Sequence, residues 1–345
     1  MPKFYYDANG FGKHWGNLLN GRNELICTWS EIIWAAITVG KRNLTDVWKY
    51  NQYSFFEAIF RTTMIFANLM TQDTGNKNKD YRILKTDVYK SLDPSEKNAI
   101  SYFIGLMSTK LIAGRLFNIP WLMHLDVYKK SVNIKTINGD KSRPDFIGIN
   151  SSNKWFVFEA KGRSHSFDKK ALNKAKIQTR KLRKISGNYP NLRVAVQSSF
   201  SGDYFQIAIE DPDEYDKSAI DIEMDIKEFI FDYYKLVANL LFYKKDYLEP
   251  INIGGIYFMV ANLSEINLKI GLQKEIYNLF LDQSDKDKSK FKLEDFYKIM
   301  TINKLKNIHS INLEDNMYLG NDGIIIISGE LWNIENMNKQ PYERE

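Results

Sequence analysis

The chain has 345 residues, 44% hydrophobic and 26% charged, which suits a globular protein of two compact domains or one large domain with additions. Its one cysteine, Cys27, excludes an internal disulfide, a zinc ribbon and a CxxC redox pair; no apolar run approaches the roughly 18 residues that span a bilayer, and the opening Met1-Pro2-Lys3 lacks a signal-peptide pattern. A cytoplasmic protein with no membrane partner is therefore expected. The net charge of +6 is unevenly spread: Lys161 to Lys184 carries ten Lys or Arg against one acid, whereas Glu210 to Glu249 carries twelve acids against five lysines. A concentrated basic block is the electrostatic footprint of nucleic-acid binding, although many such blocks are only solvated helix faces.

In chain order, residues 1–92 read as a mostly helical N-terminal region, with apolar residues at helical spacing around 30–37 and 53–66. The polar, Gly/Asn-rich stretch 71–80 reads as a loop. A new unit opens at Asp93-Pro94-Ser95-Glu96, a capping box with proline at the first helical position. Its helix runs to about Phe117, with Ile100, Phe103, Met107 and Leu111 on one face. Strands follow at 121–128, 145–149 and 155–161, then a basic helix over 168–186 and an apolar strand over 192–197. Residues 93–210 thus form one α/β unit with the order helix, three strands, helix, strand. Residues 211–345 form a C-terminal α/β region with an acidic linker, a helix over 224–247, strands at 255–261 and 323–328, and a turn at 320–323.

Chemistry concentrates where two strands meet. Pro144-Asp145 opens one strand, and Glu159-Ala160-Lys161 ends the next. Side chains alternate along a strand, so Glu159 and Lys161 share a face with Trp155 and Val157. With Asp145 on the neighbouring strand, two carboxylates and an ammonium converge at one end of a sheet. Two carboxylates can hold Mg²⁺ or Mn²⁺, with the Ala160 carbonyl as a further ligand, and the lysine can orient an attacking water. An E-x-K triplet alone is weak, arising by chance about twice in such a chain. The argument rests on its conjunction with Pro-Asp and the basic helix.

This arrangement resembles the PD-(D/E)xK nuclease superfamily over about residues 95–198, with Pro144-Asp145 and Glu159-Ala160-Lys161 carrying the motif. The resemblance implies a restriction-endonuclease-like core, a mixed four-stranded sheet flanked by helices, and a Mg²⁺-dependent endonuclease. Asp145 and Glu159 would be metal ligands and Lys161 would assist the water. DNA would be the substrate, and restriction, anti-phage defence or DNA repair the setting. Members often carry a glutamine on the helix after the lysine and an extra acid on the first helix. Gln178, on the apolar stripe of the basic helix, fits the former, and Glu96 the latter, although its capping box is a sufficient explanation.

Arg163 and His165, in the loop after the lysine, are candidates to hold phosphate. Lys169, Lys170, Lys174, Arg180 and Lys181 are candidates for backbone contact on the outer helix face. His124 reads as a core histidine. Double-strand cutting would call for a homodimer, and the N- or C-terminal region could instead dock a partner protein. Two alternatives stand: a catalytically silent nucleic-acid-binding or regulatory protein on the same fold, and a partner-binding protein whose acidic 210–249 stretch docks onto something basic. No GxxxxGK[S/T] occurs, which argues against a P-loop ATPase.

Overall fold

The computed structural model describes residues 1–39, 52–71, 81–125, 132–135, 143–211, 214–217, 219–281, 292–305 and 313–332. The chain opens with strands β1 (Lys3–Asn9) and β2 (Gly21–Ile26). Helix α1 (Trp29–Thr38) follows, capped by the Thr28 hydroxyl on the Glu31 N–H. Helix α2 (Gln52–Asn68), strands β3 (Leu69–Thr71) and β4 (Ile83–Lys85) and helix α3 (Asp87–Ser91) lead into α4 (Pro94–Phe117). Both halves of the Asp93/Glu96 capping box are formed at the start of α4, and Asn118 ends it in the left-handed region at φ 53°. Next come β5 (Trp121–His124), β6 (Val132–Lys135), β7 (Phe146–Ile149) and β8 (Trp155–Gly162). Helix α5 (Lys169–Thr179) is followed by β9 (Leu182–Ile185), β10 (Leu192–Ser201), β11 (Tyr204–Glu210) and β12 (Ile220–Met224). The remainder is α6 (Ile226–Tyr243), β13 (Leu248–Ile253), β14 (Ile256–Leu263), β15 (Leu268–Gln273), α7 (Lys274–Leu281), α8 (Leu293–Leu305), β16 (Met317–Leu319) and β17 (Ile324–Ser328).

The result is a mixed α/β architecture built on three sheets. The largest runs β2-β1-β11-β10-β8-β7-β5, with β4 attached to β11 and β3 to β4. Its part β5-β7-β8-β10 is antiparallel except where β8 and β10 run parallel. That parallel step needs a crossover, which α5 supplies. Helix α4 covers one face, with Phe117 against Phe158 at 5.9 Å between ring centroids. The other face receives α6 through Phe229 on Trp155, and α5 through Leu172 and Ala175 on Ala195 and Ala208. A second sheet is β6-β12-β9, and a third, antiparallel throughout, is β13-β14-β15-β17-β16.

Within the main sheet the order helix, three strands, helix, strand is kept with shorter elements, and β6 and β9 interrupt it as two unexpected strands that join β12 in the second sheet. The first strand is assigned to Trp121–His124, and 126–128 lie outside the described residues, as do 72–80 of the expected loop. The basic helix ends at Thr179 because Leu182–Ile185 leaves it to pair with β12. The N-terminal region is only partly helical: β1 lies parallel to β11, carries β2 on its outer edge, and so extends the main sheet. One hydrophobic cluster reaches from Phe4 through the central unit to Trp332, so the three stretches share a core.

Where they meet lies a wholly buried polar knot. The Lys110 ammonium on α4 donates to the Pro120 carbonyl and to the Tyr233 hydroxyl (2.8 Å), and sits over the Trp34 ring at 4.4 Å. Asp322, in the β16–β17 turn, accepts from Tyr233 (2.5 Å), from the Trp34 indole (2.9 Å) and from the Ile324 N–H. Burial lowers the Lys110 pKa to about 7 and raises that of Asp322.

Candidate active site

Pairing between β7 and β8 ends at Phe146 opposite Phe158. The next opposed residues, Asp145 and Glu159, replace the backbone ladder with their side chains. The Asp145 N–H donates to Glu159 Oε2 at 2.8 Å, and the Ala160 N–H donates to Asp145 Oδ2 at 3.1 Å. Pro144 has no N–H with which to carry the ladder further. On the other side, the Asp145 carbonyl accepts from the Leu125 N–H at 2.7 Å, which fixes the aspartate backbone. The two carboxylates are thereby held face to face by each other's main chain.

Lys161 projects from the same face as Glu159 and hydrogen-bonds its Oε1. Glu159 is fully buried, while Asp145 and Lys161 remain partly open to solvent. Burial, and then repulsion from Asp145, push the Glu159 pKa up to about 8, against the opposing pull of Lys161. Two close carboxylates that resist joint ionisation are suited to a shared cation. The Ala160 N–H points toward Asp145, and a strand residue's carbonyl opens on the same strand edge as its N–H. Among the described residues no cluster of three or more His, Cys, Asp or Glu side chains forms a metal cage. The donor set is instead two carboxylates and one carbonyl, which fits a hard divalent cation that keeps several waters.

The structure brings Asp145, Glu159, Ala160 and Lys161 together, but Glu96 and Gln178 make no hydrogen bond to them. The exposed Glu96 carboxylate turns back to the Asp93 N–H at 3.2 Å, so the capping box accounts for its position here. Gln178 occupies the last turn of α5, roughly 13 Å along the axis from Lys169 at a rise of about 1.5 Å per residue. Its Oε1 is buried without a hydrogen-bond partner.

The glutamine that organises this end of the sheet is Gln197. It lies opposite Lys161 on β10, fully buried, accepts from the Asp168 N–H and donates to the Asp168 carbonyl, both at 2.8 Å. Asp168 in turn caps α5 through the Lys170 and Ala171 N–H groups and pairs with Arg163, and these bonds hold its pKa low. Strand alternation could have singled out Gln197, a lone amide in the run Val194-Ala195-Val196, two positions beyond Ala195 on its face. His124, which reads from sequence as a core histidine, also reaches the site: its Nε2 lies 3.8 Å from Asp145 Oδ1 on the neighbouring strand.

The basic block divides in two. Lys169, Lys170 and Lys174 are exposed and have no ion-pair partner among the described residues, and His165 is exposed in the loop beside the site. Arg163, although exposed, is engaged by Asp168. Arg180 instead donates to the Glu214 carbonyl at 2.9 Å and Lys181 pairs with Asp216 at 3.3 Å. Lys176 pairs with Glu210 and Arg183 with Asp221. The beginning of the acidic stretch therefore docks onto the chain's own basic segment and engages Arg180 and Lys181, two of the residues expected to contact phosphate. No described helix is long and apolar enough to cross a membrane. No family model matches the chain, and no curated protein or solved structure is significantly similar to it.

Proposed function

We propose that the chain is a metal-dependent endonuclease of the PD-(D/E)xK type, acting on DNA on a restriction-endonuclease-like core. The observation that carries this reading is the reciprocal lacing of Asp145 and Glu159 beside Lys161, at the splayed end of two strands in a β5-β7-β8-β10 sheet. Asp145, Glu159 and the Ala160 carbonyl would hold Mg²⁺ or Mn²⁺, which when bound polarises the scissile phosphate and acidifies an attacking water. Lys161, partly exposed on the same face, would leave Glu159 to orient that water and offset negative charge developing on the phosphate. His124 would position Asp145, and Gln197 would hold the following loop and the start of α5. Exposed Lys169, Lys170 and Lys174 supply phosphate contacts. The same reading extends to a cytoplasmic role in anti-phage defence or repair, with a second copy or a partner protein for double-strand cutting.

One feature favours the silent alternative. Both Glu159 oxygens already accept hydrogen bonds inside the protein, so a cation would compete with Lys161 for the carboxylate. Incubation of supercoiled plasmid, single-stranded DNA and RNA with Mg²⁺, Mn²⁺ or EDTA decides between the two. Cleavage that needs metal and falls about a hundredfold or more in Asp145→Asn and Lys161→Ala supports the nuclease. Nucleic-acid binding without cleavage under every metal condition supports the silent protein.

A further inference from the structure

The face of the main sheet that carries Glu159 and Lys161 continues sideways. Lys161 lies opposite Gln197 on β10, Gln197 opposite Ala208 on β11, and Ala208 opposite Asp7 on β1, so one row of side chains crosses four strands. At about 4.8 Å per strand, Asp7 lies roughly 14 Å from Lys161. Helix α5 covers only part of this face. Beside it opens a cavity of about 230 Å³, lined by Asp7, Asn9, Phe167, Leu172, Ser199 and Gln206 among others. Phe167 belongs to the loop that follows Lys161 and is 43% exposed, large for a phenylalanine with a cavity beneath it.

From this juxtaposition we infer that the cavity receives an unpaired, amino-bearing nucleobase from a nucleotide neighbouring the scissile phosphate, so that the substrate is single-stranded or locally unpaired. The inference rests on the proposed nuclease reading and names its substrate class. Phe167 offers an accessible ring on which a base can stack. Gln206 and Asn9 offer amides to a base edge, although Gln206 also donates to the Ser199 hydroxyl at 3.3 Å. The Asp7 carboxylate has no hydrogen-bond or ion-pair partner among the described residues: its cross-strand neighbour Arg22 sits over the Tyr5 ring at 4.8 Å instead. An uncompensated carboxylate repels phosphate and accepts from the exocyclic amino groups of cytosine, adenine or guanine, which thymine lacks. The other acid at the cavity, Glu210, is neutralised by Lys176 at 2.8 Å. A base still paired in a duplex cannot present its edge to a walled cavity of this size, so pairing must be lost first.

The test uses full-length Lys161→Ala protein in EDTA, so that binding is read without cleavage. Fluorescence anisotropy would follow labelled oligo(dA), oligo(dC), oligo(dT) and a mixed duplex of equal length. Expected is binding of oligo(dA) and oligo(dC) several-fold tighter than that of oligo(dT) or duplex. The added change Phe167→Ala should weaken single-strand binding about tenfold, and Asp7→Asn should abolish the preference over oligo(dT). Phe167 is exposed and Asp7 half-buried, and unchanged melting temperatures would show that the variants remain folded. Equal affinity for duplex and single strands, or indifference to Phe167→Ala, overturns the inference. Metal-dependent cleavage by the wild-type chain without single-strand preference sinks this inference alone. Base-selective binding with no cleavage by the wild-type chain sinks only the nuclease.

Discussion

Glu159 shows how one residue's surroundings set its chemistry. Its pKa rises to about 8 from an ordinary value near 4.5, first through burial and then through Asp145. Between those values the folded chain keeps a proton that the unfolded chain has lost, so stability falls as pH rises through that window. Thermal melts in EDTA from pH 5 to 9 should show this decline, and Glu159→Gln should flatten it. On the proposed metal site, Mn²⁺ added at pH 8.5 would take the place of the proton and should raise the melting temperature of the wild-type protein but not of Asp145→Asn. A cation-independent melting temperature would count against the metal site.

At the scale of elements, α4 and β8 approach unusually closely just past Lys161. A Cβ on Gly162 would lie 1.7 Å from the Ser101 carbonyl oxygen, and one on Gly105 2.8 Å from the Gly162 nitrogen. Neither obstacle is a flexible side chain, so Gly162→Ala should cost about 3 kcal/mol in urea unfolding and loosen the Lys161 end of the strand. The division of the basic block makes a second prediction. Lys170→Ala should lower the salt dependence of DNA binding by about one phosphate contact, whereas Lys181→Ala, held by Asp216, should leave it unchanged. The spacing of Lys and Arg alone could not separate these two lysines. Ion pairs with residues more than thirty positions away decide which charges face outward.

The whole molecule turns on the buried knot of Lys110, Asp322, Tyr233 and Trp34. These residues come from α4, the β16–β17 turn, α6 and α1, so the knot ties the N-terminal, central and C-terminal stretches together. Lys110 and Asp322 are linked through the Tyr233 hydroxyl, and removing the carboxylate leaves that hydroxyl and the Trp34 indole buried without their acceptor. Asp322→Ala should therefore destabilise the protein by about 3 kcal/mol. Because one hydrophobic core runs through all three stretches, tryptophan fluorescence and far-UV circular dichroism should report a single coincident unfolding transition. Separate transitions would show that the stretches are independent domains.

Local patterns in the sequence determined the capping box at Asp93, the start of the basic helix at Asp168, the strands around Asp145 and Glu159, and the shared face of Glu159 and Lys161. Each follows from steric or hydrogen-bonding preferences acting over a few residues. Tertiary structure alone decided that β1 and β2 extend the main sheet, because a parallel pairing between residues 5–9 and 206–210 leaves no local signature. It likewise engaged Glu96 in its own helix cap, set Gln197 and His124 beside Lys161 and Asp145, and folded the acidic stretch onto the basic one. Those outcomes depend on which distant surfaces must be buried or neutralised together, and no window of the chain holds both partners.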